Sequence, residues 1–296
     1  MAYRFPRQRW DGGIQLYDDP AIGRFIQPDW IVLDPANPQD LNRYTYVRNN
    51  PVRYADPTGM YLCEDAYGSC DASTAWGMAT IIEVEKQYGV KVTGTWRYTE
   101  ARILRTAFER MQAGIAAQLQ VSREEARALL ARALAGGTIT RGSHDSPMYL
   151  LGVLAVVAIT GDLGSRPMAS TFAPYYTIGE TGFVALPKVK QPTVFLWDET
   201  FDFGVTKAIG TIIHETGHLL DYLSSFQVPD LLYGTETNRA LFETVGYTNA
   251  PGDSLYATRS PWELFAETWR SYVTVALDVD LHRAHVEFMS TLLTGK

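Results

Sequence analysis

Apolar residues at Val205, Ala208, Ile209, Ile212, Leu219 and Leu223 recur at three- and four-residue steps. That period predicts a helix packed along one side. Residues 99 to 112 and 122 to 135 carry the same kind of pattern. The second opens with Ser122-x-x-Glu125, a capping box, and closes at Gly136-Gly137. A helix period also runs from Thr74 through Trp76, Met78, Ile81 and Ile82 toward Gly89. Ser146-Pro147 starts a further, wholly apolar helix, because proline at the first helical position forfeits no hydrogen bond. Ser260-Pro261 opens another in the same way. Alternation predicts strands at Val90 to Trp96, at Phe183 to Leu186, and at Pro192 to Asp198 directly before the 205 helix. Residues 1 to 60 read differently, as short apolar pieces punctuated by Pro, Gly, Asp and Asn, the pattern of strands joined by tight turns. Cys63 to Ser73 is small and polar, like a linker.

Composition narrows the function classes. A chain of 296 residues, 46% hydrophobic and 20% charged, can bury a sizeable core and excludes a wholly disordered polymer. The formal charge of -7, with no long basic run, argues against nucleic acid or an anionic membrane as partner. The longest apolar run, Met148 to Ile159, falls short of the about 20 residues a bilayer span needs, so a buried helix is expected there. Met1 to Arg7 lacks the apolar core of a secretory signal, so export would take another route. Cys63 and Cys70 fit one small disulfide loop or two free thiols.

The chemistry concentrates in His214-Glu215-Thr216-Gly217-His218. Residues four apart share a helix face, so both imidazoles can point at one zinc ion, while Glu215 is placed to act as general base on a water there. Catalytic zinc takes three protein ligands, so one more is needed. Glu263 and Glu267 project from one face of the helix that Ser260-Pro261 opens, and either could serve. Ser260-x-x-Glu263 is also a capping box, which would give Glu263 a purely structural role and leave Glu267 as ligand. Asp221, one turn beyond His218, either orients that histidine or faces solvent. His282 and His285 are a weaker pair for metal, since solvated or core histidines are the commoner case.

Two resemblances extend this reading. The stretch from Tyr3 to Gly59, with Leu41-Asn42-Arg43-Tyr44-Thr45-Tyr46 and the closing Asp56-Pro57-Thr58-Gly59, resembles the end of the core in Rhs and YD-repeat proteins. The resemblance implies a boundary after which a variable effector begins, usually a toxin, enclosed by a cage of upstream repeats. No such repeats precede it here. It also implies self-cleavage near Met60 by paired aspartates, for which Asp19 and Asp29 are the matching residues. The other reading of that pair is as turn formers.

The His-Glu-x-Gly-His-x-x-Asp block together with Glu263-Leu264-Phe265-Ala266-Glu267 resembles the gluzincin peptidases, and among them the catalytic domain of anthrax lethal factor and its relatives. A metzincin would carry Gly at 221 and His at 224, where Asp221 and Ser224 stand. An aspzincin would carry Asp at position 238 after Gly234-Thr235, where Asn238 stands. The resemblance implies zinc, one ion per chain, on His214, His218 and Glu263, with Glu267 holding a ligand histidine from behind. It further implies that Tyr256, seven residues before Glu263, donates to the oxyanion; Tyr247 is the alternative. The expected fold is α+β: residues 1 to 60 as a short β-rich Rhs-core remnant, 61 to 73 as linker, and 74 to 296 as a zincin-like metallopeptidase domain with a small mixed sheet, an active-site helix and C-terminal helices. In such folds a sheet edge beside the active-site helix, here Pro192 to Asp198, can pair with an extended substrate.

The expected function is that of a zinc endopeptidase acting as a toxin delivered by a non-classical route. Its partners would be a protein or peptide substrate, a cognate immunity protein and an upstream Rhs cage or delivery apparatus, with neither nucleic acid nor membrane. The alternatives are a non-catalytic Rhs-tail interaction module with a structural metal site, or a housekeeping metallopeptidase.

Overall fold

In a computed structural model of the protein, the described residues are 38–39, 41–45, 47–50, 72–142, 144–160, 167–178, 182–186, 189–225, 229, 234–246, 260–274 and 283–295. Asp19, Asp29, Met60, Cys63 and Cys70 lie outside them, as does most of the strand-and-turn stretch expected over residues 1 to 60. The helices are α1 (Ala72–Tyr88), α2 (Tyr98–Leu119), α3 (Arg123–Ala133), α4 (Pro147–Thr160), α5 (Glu199–Asp202), α6 (Val205–Ser224), α7 (Glu236–Val245), α8 (Pro261–Val273) and α9 (Arg283–Thr294). The strands are β1 (Lys91–Thr93), β2 (Thr138–Arg141), β3 (Ala169–Phe172), β4 (Tyr175–Ile178), β5 (Gly182–Ala185) and β6 (Thr193–Leu196). This is a mixed α+β fold. Among the described residues, no helix is long and apolar enough to cross a membrane.

Contacts divide the chain into two compact units, Met1–Glu83 with Thr95–Arg102, and Val84–Gly94 with Ile103–Lys296. In the first, Trp96 is fully buried, and a Cβ on Gly77 would fall 2.0 Å from its carbonyl oxygen. The Glu100 carboxylate accepts from Arg97 N–H at 3.0 Å, satisfying a donor at the start of α2.

The second unit holds a four-stranded sheet in the order β1-β2-β6-β3. The first three strands are parallel, and β3 runs antiparallel to β6, pairing Ala169 with Leu196 and Phe172 with Thr193. Ile139, Val194 and Leu196 are completely buried. β4 and β5 form a separate hairpin, Tyr175 opposite Ala185. From β6 the chain turns through α5 into α6, which packs against β3 and β6 and, more extensively, α8.

The sequence pattern places α1, α2, α3, α4, α6 and α8, leaves α5, α7 and α9 unmarked, and understates α6. From Ile212 to Asp221 every residue except His218 is buried, so the helix is enclosed rather than packed along one side. Two residues show how. Leu219 lies against Gly137 at the entry to β2, and Gly217 faces α8, where a Cβ would sit 2.8 Å from Ala266 Cα and 3.1 Å from Trp269 Cβ. α2 continues past the expected end near 112 to Leu119, because Ile115 is fully buried and Gly114 lies against the Val273 carbonyl at the end of α8. Burial there outweighs the weak helix preference of an internal glycine. The strand expected as a sheet edge, Pro192 to Asp198, is corrected: β6 lies between β2 and β3, and the edge beside α6 is β3. Alternation marks a strand but does not name its neighbours.

Replacing Gly217 by Ala forces α6 and α8 apart and is expected to destabilise the fold by about 1–3 kcal/mol, the usual cost of overpacking. Urea denaturation compared with the wild type checks this; an unchanged midpoint would show that the helices do not need the close approach.

Candidate metal centre

α6 carries His214 and His218 one turn apart, with ring centroids 4.9 Å apart and planes at 83°. α8 supplies the third group. Ser260 caps that helix by accepting from the Glu263 N–H at 3.3 Å, as the capping-box pattern predicts. The Glu263 carboxylate turns to the histidines: its Oε2 lies 3.2 Å from His214 Nε2 and 3.8 Å from His218 Nε2. One ligand atom from each of the three residues falls within 4.8 Å of the others, near enough to coordinate one metal ion.

The fit to a metal is supported by two features of these residues. A zinc ion with bonds of about 2.0–2.1 Å needs ligand atoms roughly 3.3 Å apart, and the carboxylate stands 3.2 and 3.8 Å from the two imidazole nitrogens. Glu263 Oε2 is buried and satisfied by no hydrogen bond, which is costly for a carboxylate oxygen. A divalent cation would satisfy it. His214, His218 and Glu263 retain 11%, 12% and 8% of their side-chain exposure, so the cluster lies below the surface without being sealed.

Glu267, one turn along α8, lies behind His214: its Oε1 is 2.7 Å from His214 Nδ1, and its Oε2 accepts from Arg270 at 2.5 Å. A carboxylate at Nδ1 holds the ring so that Nε2 faces Glu263 and His218. Burial pushes the His214 pKa down, but the carboxylates of Glu263 and Glu267 outweigh it and hold the imidazole up to about 10. His218 is lowered, by burial first and by the charge on His214 as well, against the pull of Glu263. Burial would raise both glutamates, yet His214 keeps Glu263 and Glu267 below the usual carboxylate range.

Glu215 lies near enough for its charge to act on both histidines. It is buried, and its Oε2 accepts from Thr171 Oγ1 of β3 at 2.6 Å. Sequence reasoning missed Thr171, since nothing in a lone threonine announces which strand will lie beside the helix. Asp221 is fully buried, with hydrogen bonds from Thr235 Oγ1 at 2.5 Å and Asn238 Nδ2 at 2.9 Å. Solvent exposure, one of the two expectations for it, is corrected. Thr235 also caps α7 by accepting from Asn238 N–H at 3.0 Å, so Asp221 ties that helix to α6. Burial pushes the Asp221 carboxyl up to about 7, against the three hydrogen bonds that Thr235 and Asn238 contribute. Tyr256, Tyr247 and His282 lie outside the described residues. His285 is buried on α9 and is not one of the three clustered residues.

No protein-family model and no curated protein sequence matches this chain. The resemblances to Rhs and gluzincin proteins rest on the quoted motifs alone.

Two outcomes are expected. The protein binds zinc, and Glu263→Gln weakens that binding by about 10- to 100-fold while leaving the fold intact. Because a ligand histidine must be neutral, uptake near pH 7.5 also releases a proton from His214. Isothermal titration in two buffers of different ionisation enthalpy reads both, and equal affinity for the variant would remove Glu263 from the ligand set. The second concerns Asp221. A carboxyl raised from its ordinary 3.8 to about 7 on folding contributes stability that is fully present below pH about 4 and lost as pH rises to 7. The stability difference between wild type and Asp221→Asn, measured by urea denaturation, should therefore shift against the wild type over that window; a constant difference would contradict the raised pKa.

Proposed function

We propose that the chain is a zinc-dependent endopeptidase. The observation that carries this reading is the placement of the Glu263 carboxylate against both imidazoles of His214-Glu215-x-x-His218. His214, His218 and Glu263 would hold the ion as three protein ligands, the number found in catalytic rather than structural sites. When bound, zinc acidifies a water toward a pKa of about 7 and polarises a carbonyl. The chain's own residues do the rest. Glu215 takes the proton as the water attacks the scissile carbonyl and returns it to the leaving amine. Glu267 keeps His214 in the orientation that presents Nε2. Tyr256 donates a hydrogen bond to the oxyanion that develops on the substrate. An extended peptide lies along the edge of β3, beside α6.

The wider reading rests on the N-terminal motif. Residues 1 to 60 form the Rhs-core segment, 61 to 73 the linker and 74 to 296 the effector domain. The chain is then a toxin delivered into target cells, with a cognate immunity protein as partner and an upstream Rhs cage or delivery apparatus as carrier.

A second reading has a specific observation in its favour. The geometry by itself reaches as far as a metal site, and Glu215, instead of standing free, is held by Thr171. A structural metal in a non-catalytic interaction module would be compatible with both facts. The step from metal site to hydrolase rests on Glu215, which a purely structural site would not need.

Glu215→Gln separates the two. It should keep stoichiometric zinc and lose cleavage of a mixed protein substrate by about 10²-fold or more, the contribution of a general base. Stoichiometric zinc in a wild-type protein that cleaves nothing would favour the interaction module, and wild-type turnover by the variant would remove Glu215 from the mechanism.

A further inference from the structure

We propose that Thr171 is a positioning residue for Glu215, linking the edge strand of the sheet to the general base; this rests on the peptidase reading above. Thr171 Oγ1 lies 2.6 Å from Glu215 Oε2 and 3.3 Å from the Glu215 carbonyl oxygen. The hydroxyl has one proton, and the shorter contact is the one to the carboxylate. That hydrogen bond occupies one of two carboxylate oxygens and leaves Oε1 to accept a proton from the reacting water. A glutamate has several rotatable bonds, and a base free to sample them spends little time within reach of the proton it must take.

The position of Thr171 gives the contact a second meaning. It sits within β3, opposite Val194 of β6, and among the described residues β3 is the edge of the sheet. Successive strand residues face opposite ways. Ser170 accordingly makes its contact elsewhere, accepting from Trp197 Nε1 at 3.4 Å. The strand is tied to α6 again just beyond its end: Ala173 N–H donates to Tyr176 Oη at 2.8 Å, and that hydroxyl lies 3.1 Å from Tyr222 Oη. β3 is thus fixed to α6 on either side of Phe172. A peptide that pairs with the outer edge of β3 would order the strand whose side chain holds the base, so substrate docking and base alignment share one element.

The test compares Thr171→Val, which keeps the shape and loses the hydroxyl, with Thr171→Ser, which keeps the hydroxyl, both in the full chain. The valine variant should bind zinc as the wild type does and lose kcat by about tenfold with KM little changed, and serine should restore the rate. A readout that needs no turnover accompanies it: crystal structures of the metal-free proteins should show a single Glu215 conformer in wild type and Thr171→Ser, and a displaced or multiple one in Thr171→Val. Should the valine variant fail to fold, Thr171→Ala carries the same comparison. Wild-type kcat together with a single Glu215 conformer in the valine variant would overturn the positioning role. If the wild type cleaves nothing, the peptidase reading fails by itself, and the conformer comparison still decides whether Thr171 holds Glu215.

Discussion

The close approach of α8 to α6 is the constraint on which the rest of the site depends. Gly217 has no Cβ, so Ala266 and Trp269 can lie directly against the helix between the two histidines. That contact sets the rotation and height of α8. Glu263 and Glu267 are one turn apart on α8, as His214 and His218 are on α6, and two such pairs can mesh only if the helix axes come close. The result is that one imidazole is held from both sides, Nε2 near Glu263 and Nδ1 near Glu267. Bringing several ionisable groups out of water costs several kcal/mol per charge unless they are paired. Here they are paired with each other, and Arg270 shares the load on Glu267.

What the sequence made legible follows from this division between relations within a helix and relations between helices. The i,i+4 spacing of each pair is a property of one element, so it could be read directly. The choice between Glu263 and Glu267 could not, because Ser260-x-x-Glu263 is a valid capping box and the residues alone do not say where the carboxylate turns. In the fold the cap is real, yet it uses the Ser260 hydroxyl and the Glu263 backbone N–H, so the Glu263 side chain is available to the histidines. The backbone of Glu263 serves the cap while its side chain serves the histidines.

The sheet was less legible. β2, β3 and β6 are four-residue strands, so short that alternation marked β6 and missed β2 and β3. Ala169-Ser170-Thr171-Phe172 has few bulky β-formers, and its importance comes from being the antiparallel edge beside α6, a fact of topology. α7, capped by Thr235, was not marked by the sequence pattern, and its partnership with Asp221 is tertiary and left no trace in the local pattern.

Asp221 and Glu263 are both buried acids flanking the same helix, and their surroundings assign them different work. Each Asp221 oxygen meets a donor from the start of α7, so the protein supplies what that group needs and the network is complete without a ligand. A buried carboxylate in that state holds elements together. Glu263 has one oxygen that the protein leaves without a hydrogen bond. Asn238 Oδ1 and Thr268 Oγ1 are also left so, but these are neutral groups, whose desolvation costs about 1–3 kcal/mol, and the Nε atoms of Arg105 and Arg141 belong to guanidinium groups paired with Glu109 and Asp198. The fold can absorb the neutral cases as ordinary imperfections. For the carboxylate, two imidazole nitrogens lie within 4 Å of Oε2 and the three groups stand near enough to coordinate one metal ion, and that convergence separates the residues that build α6 into the fold from those that give it chemistry.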